Sequence, residues 1–540
     1  MRRRQREITL SSGSIIGEKR SIGPVVFLIL LAFVLMSLRI TDFRFSVLLK
    51  RGGQFWIILS KMFPPDFGYL PSLWKPLLDT IKMSITGSAV GALLAVPFAA
   101  AASSNIVKRR PVVLIFRLLF SVLRTIPTLI TALIATFIFG LGTKAGVAAI
   151  ALFTFSYVGK LLYEEIETAD MAAYEAMLAL GNTKPKAFVL SVVPQVLPLY
   201  LSSCLYCFEG NVRYASVLGY VGAGGIGLIL NSQIGWRNYD NVGMILLVLF
   251  VTVVIIEHVS SELRRRLDGE NKKASPDVKE RYHRRESFVA FTITLLLIVW
   301  ASSSLLCGDG TEVNSIAVMK SILHGIFHPS TSLLFSPCTD GVPYLLLETV
   351  AIAFLGTLVG AVISVPFAFL SSANIVPRPL AAAVKVFIMA VRTVPAFVYG
   401  LMFIRVTGPG PFAGVLTMSI CSVGMISKML GESVGSMDRG ILEFLDASGC
   451  DTPRKIMCGI IPQIAPSFMS IIIYRFDMNL RDTAVLGLVG AGGIGAPLIF
   501  AMNGYKWDQA GAILFGLVSI VLVAEWMSSK IRMRLTGKKG

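Results

Sequence analysis

The sequence predicts an all-α polytopic membrane protein made of two six-helix halves related by a pseudo-twofold axis. Three observations carry this. Hydrophobic residues make up 54% of the 540-residue chain and charged residues only 15%, with a mean hydropathy of +0.71, whereas a soluble chain carries about a quarter charged residues. Twelve apolar runs are long enough to cross about 30 Å of hydrocarbon. The chain also repeats itself: Val217-Leu-Gly-Tyr-Val-Gly-Ala-Gly-Gly-Ile-Gly227 recurs 268 residues later as Val485-Leu-Gly-Leu-Val-Gly-Ala-Gly-Gly-Ile-Gly495. Arg124-Thr-Ile-Pro127 returns as Arg392-Thr-Val-Pro395, and Val96-Pro-Phe98 as Val365-Pro-Phe367. A duplication of this length predicts two equivalent units facing one another across a shared surface.

The elements follow in chain order. The first half holds apolar runs at 23–40, 77–103, 112–139, 145–163, 191–209 and 241–259, and the second at 287–305, 345–371, 380–404, 411–430, 459–476 and 509–528. Met1-Arg-Arg-Arg is basic, but no small-residue cleavage site is well placed behind the run from Gly23 to Leu38. A retained first helix is therefore expected. The chain divides into a cytoplasmic N-tail, first span and outer segment (1–75), a first transmembrane unit (76–260) and a basic cytoplasmic linker (261–286). A seventh span with its outer loop (287–344), a second unit (345–529) and a cytoplasmic tail (530–540) follow. The linker is polar and reads as a solvated tether.

Lysine and arginine set the orientation. Arg2, Arg3, Arg4, Arg6, Lys19 and Arg20 precede the first span, and Lys108, Arg109 and Arg110 fill the first short loop on the same side. Nine Lys/Arg lie between Glu262 and Glu286, and Lys530, Arg532, Arg534, Lys538 and Lys539 end the chain. An even number of spans per half puts all of these on one face, the cytoplasm. The expectation is a multi-pass protein of the bacterial cytoplasmic (inner) membrane with both termini cytoplasmic. The outer segment 41–75 also carries Arg44, Lys50, Arg51, Lys61 and Lys75, and the other segments outvote it. The net charge of +18 thus belongs to short inter-span segments in contact with lipid headgroups and does not point to nucleic acid.

Seven cysteines form no metal pattern, and Cys204-Leu-Tyr-Cys207 sits in an apolar span as packing. Cys307 and Cys338 share the outer loop between the seventh and eighth spans. That compartment permits a disulfide, and two free thiols are the alternative.

Gly222-Ala-Gly-Gly-Ile-Gly227 has the spacing of a dinucleotide-binding turn, and Asp240 follows at the distance of a ribose-binding acid. Gly490-Ala-Gly-Gly-Ile-Gly495 and Asp508 repeat the arrangement. That reading needs a strand–helix–strand unit, whereas here the motif follows a membrane span. Glycine permits positive φ and close helix approach. Gly222, Gly224, Gly225 and Gly227, with Gly490, Gly492, Gly493 and Gly495, therefore read as a re-entrant turn toward the outer face of each half. Irregular backbone is tolerated at that depth only where protein or a water-filled cavity covers it, so the turn either packs helices or gates a path.

Between the fourth and fifth spans lies Glu175-Ala-Met-Leu-Ala-Leu-Gly181, followed by Pro194-Gln-Val-Leu-Pro198; Glu443-Phe-Leu-Asp-Ala-Ser-Gly449 and Pro462-Gln-Ile-Ala-Pro466 hold the same places in the second half. A short helix stopped by glycine and followed by a proline-led span makes a projecting cytoplasmic elbow. This resembles the E-A-A-x3-G-x9-I-x-L-P loop of ABC importer permeases. Glu175, Ala176, Gly181 and Pro194 match, while Ser191 and Val193 stand where Ile and Leu are usual. In the second copy Phe444 and Leu445 replace the alanines, and Glu443, Gly449 and Pro462 remain. The Arg-Thr-Ile/Val-Pro and glycine strings are closer still to the phosphonate-type permeases, the PhnE family, over about 76–260 and 345–529. The resemblance implies a tandem fusion of two type I ABC importer transmembrane domains. It also implies that the elbows are coupling helices on a dimer of ABC ATPase subunits at the cytoplasmic face, and that an extracytoplasmic substrate-binding protein delivers the solute. No G-x-x-x-x-G-K-[ST] string occurs, so no enzyme activity is expected of this chain. The resemblance assigns ATP and Mg to the partner ATPase and leaves this chain without a cofactor of its own.

Charged residues inside the spans mark the candidate path. Arg124 lies about twelve residues into the third span, about 18 Å along a helix, and Arg392 is its mate. An arginine at mid-bilayer costs at least about 2.5 kcal/mol, so it must face protein or water. The pair either forms a cationic ring suited to phosphonate or phosphate, or each arginine satisfies carbonyls or a carboxylate within its own half. Glu209, Asn211 and Arg213 recur as Asp477, Asn479 and Arg481, at the expected outer end of the fifth and eleventh spans. Acid and arginine four apart share one helical face. They read as a structural pair orienting the glycine turn, or as Asn and Arg that touch the solute. Lys160 with Glu164 and Lys428 with Glu432 read as structural pairs. The function expected is the permease of an ATP-driven importer for a phosphorus oxyanion, phosphonate first and phosphate or phosphite next. The rival is an ion-coupled secondary transporter of six plus six helices, which needs an ion-coupling site; carboxylates well inside the spans are scarce, and the elbow has no purpose in it.

Overall fold

The computed structural model describes residues 7–9, 15–17, 23–270, 300–302, 315–437, 440–451 and 454–535. Helix dominates them. The exception is an antiparallel hairpin in the N-terminal tail, β1 (Glu7–Thr9) with β2 (Ile15–Gly17). The first half contains α1 (Gly23–Ile40), α2 (Phe45–Arg51), α3 (Gly53–Lys61), α4 (Leu70–Ala102), α5 (Arg110–Thr125), α6 (Thr128–Phe139), α7 (Thr143–Thr168) and α8 (Ala172–Ala179). It ends with α9 (Lys184–Ala187), α10 (Val193–Leu218), α11 (Ile226–Trp236) and α12 (Tyr239–Glu270). The second half contains α13 (Ser315–Phe327), α14 (Thr331–Leu334), α15 (Val342–Leu370), α16 (Arg378–Thr393), α17 (Ala396–Thr407) and α18 (Pro411–Gly435). It closes with α19 (Gly440–Ala447), α20 (Ile461–Gly487), α21 (Gly495–Asn503) and α22 (Trp507–Leu535). Helices α4 to α8 thus return as α15 to α19, and α10 to α12 as α20 to α22.

Among the described residues eight helices are long and apolar enough to cross a membrane, or ten when each of two bent pairs counts as one span. The expected first span is α1. The expected seventh, 287–305, lies outside the described residues except for 300–302.

The third and ninth runs are each broken in two. α5 meets α6 at 91° and α16 meets α17 at 82°. Proline is the cause. Pro127 and Pro395 lack the N–H that would continue the helix, and each pushes its predecessor out of the α region: Ile126 and Val394 are extended, both with ψ of 121°. The fifth and eleventh runs are longer than expected, since α10 continues to Leu218 and α20 to Gly487. A second short helix, α11 or α21, fills the stretch after each glycine turn. The first ten residues of the expected linker, 261–270, continue α12, and 271–286 lie outside the described residues.

The halves are not side by side but interlocked. In each, α4 packs along α7 and α15 along α18. The N-terminal arm then crosses over: Phe33 of α1 meets Phe354 at 4.7 Å, Phe43 meets Phe412 at 4.7 Å, and Phe55 of α3 stacks on Phe403 at 5.0 Å between ring centroids. α13 packs on both α22 and α6 of the first half. The last helix of each half also reaches the other, α12 against α16 and α22 against α5. Outward-facing Leu93, Leu94, Leu114, Ile115 and Leu118 stay exposed, an apolar surface suited to lipid.

Candidate functional site

Arg124 closes α5 and Arg392 closes α16, each just before its proline break. Each pairs with a carboxylate of the opposite half. Arg124 forms an ion pair with Glu525 of α22, and Lys160 of α7 approaches the same carboxylate at 3.2 Å. Arg392 lies 3.9 Å from Glu257 of α12, and Lys428 of α18 is 2.7 Å from it. The i,i+4 contacts of Lys160 with Glu164 and Lys428 with Glu432 are longer, at 3.9 and 4.0 Å. The two lysines are therefore primarily ligands of the opposite half's last helix.

The pair formed by residues 209 and 213 sits inside α10, not at its outer end, because the helix runs five residues past Arg213. Arg213 is 2.8 Å from Glu209 and 3.9 Å from Glu257, and Arg264 reaches Glu209 at 3.3 Å. Arg481 is 2.7 Å from Asp477, and both act electrostatically on Arg124; Arg532 acts likewise on Lys160. The residues expected at two depths thus form two clusters. One holds Arg124, Lys160, Arg481 and Arg532 with Asp477, Glu525 and Glu164. The other holds Arg392, Lys428, Arg213 and Arg264 with Glu209, Glu257 and Glu432. Every member has its counterpart 268 residues away, and each cluster draws on both halves. Tyr206 and Tyr474, also counterparts, lie under Arg264 and Arg532 at 5.8 and 6.0 Å.

Glu257 and Glu525 were not singled out from the sequence. The signal was present: both are acids inside apolar runs, at matched places in the repeat.

Asn211 and Asn479 lie inside the packing of their own halves. They are 1% and 0% exposed. Asn211 donates to Ser88 and Thr154, both at 2.8 Å, and Asn479 to Thr357 and Ser422 at 2.7 and 2.8 Å. Each amide nitrogen joins three helices of its own half, while the buried Oδ1 of both side chains has no hydrogen-bond partner.

The glycine strings meet at the joint of the halves. Gly222, Gly224 and Gly225 have φ of 83°, 79° and 74°, and Gly490, Gly492 and Gly493 have 83°, 80° and 77°, values that side chains disfavour. Gly142 donates to the Gly222 carbonyl and Gly410 to that of Gly490, both at 2.9 Å. Thr80 and Thr349 accept from the first N–H groups after the turns, those of Ile226 and Ile494, at 2.8 and 3.0 Å. Val217 and Val221 pack with Val485 and Leu488, and the Tyr220 hydroxyl donates to the Leu488 carbonyl at 3.4 Å.

The elbows project as short helices. In α8, Asn182 N–H returns to the Met177 carbonyl and Gly181 to that of Leu178, with Gly181 at φ 81°, a helix stop satisfied by its own backbone. Cys450 returns to Leu445 and Gly449 has φ 71° in the second copy. Glu175, Ala176, Glu443 and Phe444 are exposed. Gln195 clamps the first elbow to α10, donating to the Asp170 carbonyl and accepting its N–H, both at 3.1 Å. Cys338 is exposed, and its expected partner Cys307 lies outside the described residues.

Two interlocked helical halves, paired cationic clusters at their joint and two exposed elbows define a membrane permease. The family described as the inner membrane component of binding-protein-dependent transport systems matches residues 87–268 and 364–529, more than half of the chain, and the chain belongs to it. It is an importer permease of the ABC class. A phosphate-import permease, PhnE of Mycolicibacterium smegmatis, is 28% identical over 92% of this chain and 91% of its own length. A phosphite transport system permease, PtxC of Stutzerimonas stutzeri, is 34% identical over 35% of this chain and 68% of its own. The ABC transport system permease p69 of Mycoplasma pneumoniae is 21% identical over 88% of each chain. Matches that span both halves support the tandem reading and disfavour the secondary transporter.

Proposed function

We propose that the two clusters line the route of a phosphorus oxyanion, phosphonate first and phosphate or phosphite next, through an ATP-driven importer. One observation carries the reading: four cations against three carboxylates, twice, at the joint of the halves. Guanidinium groups bind such anions through parallel charged hydrogen bonds, and the names of the relatives from Mycolicibacterium and Stutzerimonas support the substrate class. The working units are 76–260 and 345–529, joined by 261–286, led by 1–75 and 287–344 and closed by the tail 530–540. Both termini lie in the cytoplasm of a bacterial cell, beneath the inner membrane. A dimer of ATPase subunits carrying ATP and Mg docks on the elbows around Glu175, Ala176, Gly181, Glu443 and Gly449, and an outer binding protein delivers the anion. Rocking of the halves about the glycine turns opens the route to one side at a time.

Replacing Arg124 and Arg392 together by Met tests this in vesicles holding the whole transporter. Uptake and substrate-stimulated ATP hydrolysis are expected to fall about tenfold or more, the scale of one charged hydrogen bond. Unchanged transport by a correctly folded double variant overturns the route.

A further inference from the structure

We infer that Glu257 and Glu525 are built-in counter-anions: between turnovers they occupy the arginine clusters, and an entering oxyanion displaces them. The inference rests on the reading of those clusters as the anion route. Three observations lead to it.

The first is origin. Each carboxylate is on the last helix of one half and is held by the third- and fourth-span cations of the other, Glu525 by Arg124 and Lys160, and Glu257 by Arg392 and Lys428. The carboxylates therefore sit where the halves must part or slide.

The second is incomplete coordination. Arg124 pairs with Glu525, while its buried Nε has no hydrogen-bond partner. Buried Oε2 of Glu525 and Oε2 of Glu257 have none either. Arg392 and Arg213 stand 3.9 Å from Glu257, beyond hydrogen-bond length. A guanidinium satisfied in full offers two parallel donors to two oxygens, and these carboxylates do not complete that fork.

The third is charge. With three carboxylates against four cations, Glu164 and Glu432 included, each cluster keeps a surplus of one positive charge. A tetrahedral oxyanion brings three oxygens and up to two charges to the same donors, so it competes well with a single carboxylate. Its binding frees Glu257 from Arg392 of α16 and Glu525 from Arg124 of α5, and so loosens the joint. Occupancy of the route and separation of the halves become one event.

Equilibrium binding of radiolabelled inorganic phosphate to the full-length chain in lipid nanodiscs tests this. The E257Q/E525Q variant keeps side-chain volume and removes the competing charges. It is expected to bind phosphate about tenfold more tightly, the scale of one charged hydrogen bond. If R124M/R392M loses phosphate while E257Q/E525Q binds it no better than the native chain, the counter-anion idea fails and the route survives. If R124M/R392M binds phosphate as well as the native chain, or no form binds it, the route fails and takes this inference with it. A second measurement does not depend on the glutamine variants folding. Spin labels at exposed Leu118 of α5 and Met527 of α22 should move apart when phosphate saturates the otherwise native protein. An unchanged distance at saturation overturns the displacement.

Discussion

At the scale of single residues, each glycine turn is closed against its own half by side chains that are absent. A Cβ on Gly227 would lie 1.9 Å from the Ser216 carbonyl oxygen, and one on Gly495 2.0 Å from that of Ala484. Both targets are backbone and cannot rotate aside. Gly227→Ala and Gly495→Ala are each expected to cost about 1–3 kcal/mol, the usual penalty of overpacking, and to lower the melting temperature of the purified protein. Gly235, where a Cβ meets nothing within 4 Å, is the control, and Gly235→Ala should melt with the parent. Equal melting of all three would show that the helices give way without cost. The glycine spacing was legible in the sequence as a turn, because only glycine accepts the positive φ that the turn needs. That the two turns lie against each other was not, since no local pattern says which surface a turn will face. The asparagines make the same point. Their repetition suggested a solute contact, and the structure gives both amide nitrogens to hydroxyls within each half.

At the scale of elements, the breaks matter more than the spans. A twenty-eight-residue apolar run from 112 to 139 looks like one long helix by hydropathy, yet Pro127 turns it through 91°. The bend brings Arg124 to a helix end, where it meets α22. Hydropathy averages over a window and cannot see one proline; the missing N–H acts at a single peptide. The elbows were legible in outline from their glycine stops. Gly181→Val would force a β-branched side chain into φ 81°, a cost of about 1–2 kcal/mol for a left-handed L-residue. It is expected to lower substrate-stimulated ATP hydrolysis in the assembled transporter while leaving phosphate binding to the isolated permease unchanged. Normal stimulation would remove the elbow from coupling. The sequence placed any asymmetry between halves at the cytoplasmic elbows, where Phe444 replaces Ala176. The structure adds a second difference within the span: Arg475 of α20 lies 3.8 Å from Asp482, where the first half has Cys207 and Tyr214.

At the scale of the whole molecule, two copies of one unit exchange their ends. The N-terminal arm packs on the second half, and each last helix donates its carboxylate across the joint. Contacts that cross in this way hold the halves together without help from the linker. Chains cut within 271–286 and co-expressed should therefore co-purify as a complex, assayed by pull-down through a tag on one half. The charge reversals R124E and E525R should each weaken that complex, and the combined swap should recover it, with a coupling energy of about 0.5–3 kcal/mol. Loss in the double variant equal to the sum of the single losses would show that the pair does not bridge the halves.

The sequence by itself determined the duplication, the number and order of apolar runs, the glycine turns and the elbows. These follow from short-range rules: backbone hydrogen bonds must close within a span, and glycine and proline act on their own dihedrals. Only the tertiary structure decided that Arg124 belongs with Glu525 and Arg392 with Glu257. Such a choice depends on which surfaces come within a few ångströms when two interlocked halves pack. A buried cation takes the carboxylate that packing brings to it, however far away that carboxylate lies along the chain.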